Sequence, residues 1–161
     1  MTKRSIAIAL AALGFSLAAA ADDRNDRLAR FDGGIGVIPT GSANNTVRGV
    51  APAGQIWVID RLTADVRSDG RIRVDGRGLL LGGGNNIGLN GNARVFATLI
   101  CEAATPFTQH STDLAGVALE PDGDFRIDDR LTSAPADCAS PVLLIRNAAN
   151  GGWFAAGIPK L

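Results

Sequence analysis

Histidine occurs once in these 161 residues, tyrosine never, methionine only at Met1, and cysteine twice. A single histidine, His110, excludes a metal site built from several imidazoles, and two cysteines exclude a four-thiolate zinc site. The chain also lacks Gly-x-Ser-x-Gly, His-Glu-x-x-His, a dinucleotide-binding glycine fingerprint and a Gly-Lys-Ser/Thr phosphate loop. The common signatures of serine-hydrolase, metalloprotease and nucleotide chemistry are therefore missing. Lysine is confined to Lys3 and Lys160, and 16 basic side chains balance 16 acidic ones. Near-neutral, mixed charge creates no long-range field for nucleic acid or an anionic membrane, so composition indicates neither as a partner. Beyond residue 21 no apolar run is long enough to span a bilayer.

The first 21 residues carry the clearest positive signal. Lys3 and Arg4 make a short basic start, residues 6–17 are apolar, and Ala18 to Ala21 supply the small residues that signal peptidase requires. This reads as a cleaved export signal, residues 1–21, followed by a single domain over 22–161. Lys3-Arg4 is no twin-arginine pair, and no cysteine follows the small residues, so a lipid anchor is not expected. The expected location is periplasmic or extracellular. In an oxidising compartment Cys101 and Cys138 read as one structural disulfide, because their spacing of 37 residues resembles no redox Cys-x-x-Cys pair.

Short apolar runs at 34–38, 55–59, 61–67, 71–81, 94–101, 116–120, 124–127, 141–146 and 153–158 are separated by Gly, Pro, Asn and Asp. No helical apolar stripe longer than two turns occurs outside the export signal. The pattern predicts an all-β fold, a single antiparallel β-sandwich, with an immunoglobulin-like architecture as one form of it. Residues 22–30 are charged and read as a partly frayed lead-in. The best-determined hairpin joins 61–67 to 71–77. A two-residue turn would set Val66 opposite Arg73, mixing apolar and charged groups on one face. A three-residue loop, Ser68-Asp69-Gly70, instead pairs Val66 with Ile72 and Ala64 with Val74, and puts Gly70 at the left-handed position. The outer row then carries Arg61, Arg67, Arg71, Arg73 and Arg77 with Asp60, Asp65 and Asp75 interleaved. It reads as a solvated face with internal ion pairs, an anion- or glycan-binding face being the alternative.

Candidate binding residues lie in loops. The Gly/Asn stretch over 82–92 contains Asn85, Asn86 and Asn90, whose neutral amides suit sugar hydroxyls, although a plain connecting loop would have the same composition. His110 sits in a polar stretch and is expected in an exposed loop. Asp122, Asp124, Asp128 and Asp129 cluster in sequence and form a weak calcium candidate, but the EF-hand spacing fails and Pro-Asp-Gly is itself a turn signal. Trp57 and Trp153 fall inside strands and are expected as core or rim packing, with sugar stacking open to either if exposed.

Several segments are similar to short exported bacterial proteins of unknown function: 30–37 (Arg-Phe-Asp-Gly-Gly-Ile-Gly-Val), 69–88, 120–129, 141–146 and 153–158. A strand ending in Cys101, an Asp-Gly-Asp-Phe turn, then Cys138 and Pro-Val-Leu-Leu-Ile resembles secreted β-sandwiches of that kind. The resemblance implies export and a β-sandwich and transfers no catalytic residue. The sequence thus points to a non-enzymatic exported binding or structural module with no cofactor, its partner a glycan or an envelope protein. Two alternatives stand beside it. One is a glycan-active enzyme using Asp122, Asp124, Asp128 or Asp129; the other is a subunit of an envelope assembly that shares a strand at an open sheet edge.

Overall fold

The computed structural model of the chain describes residues 26–40 and 45–160. The export signal expected over 1–21 lies outside the described residues. Eleven strands follow one another: β1 (Arg27–Gly36), β2 (Trp57–Val58), β3 (Arg61–Arg67), β4 (Arg71–Arg77), β5 (Leu80–Leu81), β6 (Arg94–Ile100), β7 (Gln109–Ser111), β8 (Val117–Ala118), β9 (Phe125–Arg130), β10 (Val142–Asn147) and β11 (Trp153–Lys160). No helix occurs among the described residues.

Nine strands form one antiparallel sheet in the order β7-β6-β10-β11-β1-β3-β4-β9, with β8 beside β6. The sheet curls until its ends meet. Beyond β9, Thr132 donates its N–H to Ser111 O at 2.8 Å, and Asp113 donates its N–H to Asp129 Oδ2 at 2.9 Å. The two layers of the sandwich are therefore halves of one nearly closed sheet, rather than the two separate sheets of an immunoglobulin domain. Alternation along the strands turns Leu62, Val66, Ile72, Val74, Leu99 and Ile145 into the enclosed core, where all are fully buried. The β2–β5 pair covers one end, with Trp57 stacked on Phe154 at 3.9 Å between ring centroids.

The 61–77 hairpin has the register its alternation requires. Val66 faces Ile72, Ala64 faces Val74 and Asp65 faces Arg73. Gly70 has φ +84°. Asp69 closes the turn, accepting Arg71 N–H at 3.0 Å and Arg71 Nε–H at 2.6 Å. The backbone bond first, and then the Arg71 side chain, hold its carboxyl below the ordinary aspartate range.

Three expectations are corrected. The first strand starts at Arg27 rather than 34. Its alternation is hidden because a bulge at Gly33 (φ +102°) resets the register between Phe31 and Gly34, and the residues after it are largely glycine. The run 71–81 breaks at Gly78 into β4 and β5. Residues 109–111, read as loop, form β7, a strand too short to show a period.

Beyond the exposed Arg94, β6 is buried on both faces, as a run that is apolar except for Thr98 requires. Arg48 covers its end, donating from Nη1 to Ile100 O (3.1 Å) and Ser140 O (2.7 Å) and from Nη2 to Ser140 Oγ (2.8 Å). Cys101, immediately beyond β6, is bonded to Cys138.

Candidate functional site

β6 begins, β10 ends and β11 begins at the same end of the barrel, since Val95 pairs with Asn147 and Arg146 with Trp153. Four connecting segments converge there. They enclose a groove of about 710 Å³, within the ordinary range for a ligand site. Its floor is apolar: Trp57 (5% exposed), Phe154 (3%) and Leu81. Leu114, 59% exposed, stands on one wall. The rim is amide-rich, with Gln55 from one segment, Asn86 and Asn92 from the Gly/Asn loop, and Asn147 and Asn150 from the β10–β11 turn.

These amides divide into two groups. Asn147 Oδ1 accepts Ala149 N–H at 2.9 Å and Asn150 Oδ1 accepts Gly152 N–H at 3.0 Å, so both oxygens shape the turn. Their Nδ2 groups have no hydrogen-bond partner among the described residues. The side chains of Gln55, Asn86 and Asn92 make no such bond at all, and keep a donor and an acceptor each. Among the described residues Arg94 is the one cation of the lining, and it is braced rather than free: Nε donates to Ala115 O at 2.9 Å and Nη2 to Gly116 O at 2.6 Å. Those bonds hold the loop that carries Leu114. The groove is thus a nearly uncharged mixture of amides above an apolar floor.

Of the sequence candidates, Asn86 lines this groove and Asn85, exposed on the same loop, does not. Asn90 is scaffolding. Its Nδ2 donates to Leu119 O (3.2 Å) and Glu120 O (2.9 Å), and its Oδ1 accepts Asn92 N–H (3.0 Å). His110 is not in an exposed loop but in β7, 6% exposed, with Nδ1 at 2.5 Å from Ser133 O and 3.1 Å from Ser133 Oγ. Paired with Leu99, it lies five residues along β6 from Arg94, roughly 17 Å from the groove. The polar neighbours suggested exposure, but a short edge strand turns His110 inward.

The four aspartates do not assemble. Asp122 Oδ1 accepts Asp124 N–H within its own turn, and Asp124 Oδ1 accepts Gly78 N–H at 3.0 Å. Asp128 receives Arg73 Nη2–H at 2.8 Å, while Asp129 receives the backbone of Asp113 and Arg130. Asp128 and Asp129 are strand neighbours and leave the sheet on opposite sides. Among the described residues no group of three or more His, Cys, Asp and Glu is placed to hold a metal ion. Trp57 and Trp153 are both buried, Trp153 Nε1 donating to Asn45 O at 2.9 Å, so neither offers a ring face to a ligand.

Sequence reasoning missed Gln55, Asn92, Asn147 and Asn150 as partners of Asn86. A signal was present, because two Asn/Gly turns, 82–92 and 147–152, flank the strands of one end. No family model, curated protein or solved structure matches this chain. The functional argument therefore rests on the chemistry of these residues.

Proposed function

We propose that the protein is an exported, non-catalytic binding module whose end groove takes a neutral saccharide segment. The observation that carries this reading is the five-amide rim over an apolar floor. Asn and Gln side chains both donate and accept, as sugar hydroxyls do, and an uncharged lining avoids the desolvation cost of an unpaired ion. The exposed Leu114 side chain supplies apolar surface for the C–H face of a sugar ring, above a floor closed by the stacked Trp57 and Phe154. Export is supported by the Cys101–Cys138 bond, which suits an oxidising compartment, and by the basic, apolar and small-residue pattern of residues 1–21. A carboxylate enzyme has less support, because only Asp128 and Asp129 share a cleft, a small one of about 220 Å³, and their carboxylates are already taken by Arg73 and by the backbone N–H groups of Asp113 and Arg130. Strand sharing also has less support, because the sheet edges lie against each other.

The test is a thermal-shift screen against neutral glycans. A ligand at a hundred times its Kd adds about 2.7 kcal/mol of stability. Replacing Gln55 and Asn86 together by alanine removes two rim amides that hold nothing else in place. That variant is expected to keep its thermal midpoint without ligand and to lose at least about tenfold in affinity, whereas Asn85→Ala keeps its affinity. Silence across the screen, or a glycan whose affinity survives the double variant, overturns the reading.

A further inference from the structure

The balanced charge of the sequence is not evenly spread over the fold. Of the thirteen Arg and Lys side chains among the described residues, only Arg48, Arg94 and Arg146 lie off the outer face formed by β1, β3, β4, β9 and the end of β11. That face carries four strand aspartates, Asp32, Asp65, Asp75 and Asp128, and Asp69 at the turn.

The registers place like charges directly opposite one another. Arg27 faces Arg67, Arg71 faces Arg130, Arg61 faces Arg77, and Arg30 faces Lys160. Such cross-strand pairs destabilise a sheet. The ion pairs present offset only part of this. Asp65 takes Arg27 (2.6 Å), Asp128 takes Arg73 (2.8 Å), Asp75 takes Arg126 (3.6 Å), and Asp69 takes Arg71 (2.6 Å) with Arg130 at 4.0 Å. Arg30, Arg61, Arg77 and Lys160 have no carboxylate within 4.0 Å among the described residues.

The face is also channelled. Three shallow clefts of about 750, 370 and 310 Å³ adjoin along it, and the first is also lined at its far edge by Glu120 and by Asp124, whose Oδ1 is held by Gly78 N–H. The first two share Arg61, Thr63 and Asp75; the last two share Arg27, Asp65 and Arg73. Together they make one trough following β4 from Arg77 to Arg71, about 20 Å long at the rise of a strand.

From this trough we infer that the protein binds a linear polyanionic polysaccharide across β3, β4 and β9, separately from the end groove. All but one of the cations are arginines, whose planar forks meet carboxylate, sulfate or phosphate oxygens two at a time. Thr63, Asp65 and Asp75 between them offer partners to hydroxyl groups. A single-stranded nucleic acid would want aromatic platforms, and the outward positions of this face carry none. A bilayer would want apolar anchors beside the charge. The exposed Ile87, Leu89 and Leu114 belong to loops at the groove end, Ile56 and Val58 to β2 and the residue before it, and Ile35 and Ile38 to the glycine-rich end of β1 and its continuation. That leaves Ile158 of β11, 39% exposed, as the one large apolar side chain beside the charged face among the described residues.

Heparin and polygalacturonate serve as probes, with dextran, phosphatidylglycerol vesicles and an oligothymidylate as comparisons, each titrated at low and at physiological salt. Both acidic polysaccharides are expected to bind, more weakly as salt rises and more tightly than the vesicles or the oligonucleotide. The variant Arg30→Gln/Arg61→Gln/Arg77→Gln removes cations that hold no carboxylate. It is expected to fold with an unchanged or raised thermal midpoint and to bind at least about tenfold more weakly. A charge-matched variant, Ala103→Glu/Ala104→Glu/Ala136→Glu, alters net charge equally at exposed positions off the face and is expected to keep binding. No polysaccharide binding at low salt, equal weakening by both variants, or tighter binding to vesicles or oligonucleotide overturns the inference. The groove variant Gln55→Ala/Asn86→Ala leaves this binding intact if the two sites are distinct.

Discussion

Gly76 and Phe125 face each other across β4 and β9, and the ring lies over the bare glycine. A Cβ on Gly76 would sit 2.1 Å from Phe125 Cε1 and 2.2 Å from Cζ. The phenyl ring thus fills the volume that a side chain on β4 would take, which gives an inward-facing glycine in a strand a packing reason. Gly76→Ala is expected to destabilise by about 1–3 kcal/mol through overpacking, measured by urea denaturation. Adding Phe125→Leu should recover part of that loss. A Gly76→Ala protein as stable as the wild type would mean that the ring swings clear. At this scale the sequence shows Gly76 as an interruption of alternation, and only the register with β9 reveals what covers it.

At the scale of elements, legibility followed side-chain contrast. The β3–β4 hairpin alternates cleanly, so its loop length, register and turn glycine could all be read from residues 61–77. β6 and β10 are apolar on both faces, which identified them as covered strands but left their neighbours open. β1 and β7 are hidden in the sequence, one because glycines erase the period after the bulge and the other because three residues carry none. The groove was partly legible in the same way: Asn86 stood out by composition, but its partners come from turns that only the barrel's strand order brings together. The joint between β6 and β10 is fixed twice, by the Cys101–Cys138 bond and by the Arg48 guanidinium on Ile100 O and Ser140 O. Replacing both cysteines by alanine is expected to lower unfolding stability by about 2–4 kcal/mol while the Arg48 contacts hold the joint. Groove affinity at the far end of β6 should then stay as it was. A loss of glycan binding in a folded double variant would show that this joint reaches the groove.

For the molecule as a whole, closure of the sheet is uneven. β10 has a full ladder on each side, whereas the seam between β7 and β9 rests on isolated bonds such as Thr132 N–H to Ser111 O and Asp113 N–H to Asp129. Openings of lowest free energy belong where few backbone bonds must break. Native-state hydrogen exchange is expected to be faster at the amides of Asp113 and Thr132 than at Leu144 by orders of magnitude, and equal protection would mean that the barrel opens only as a unit. The same strand order has a consequence in time. β1 must wait for β11, whose Lys160 lies about 130 residues after its partner Arg30. At about 5–20 residues per second of synthesis, the first strand leaves the ribosome roughly 6–26 seconds before one of its two neighbours exists. The sheet therefore cannot be completed before β11 has been made. A polypeptide that stays open for that interval is still threadable, and so suits a translocation channel that admits only unfolded chains.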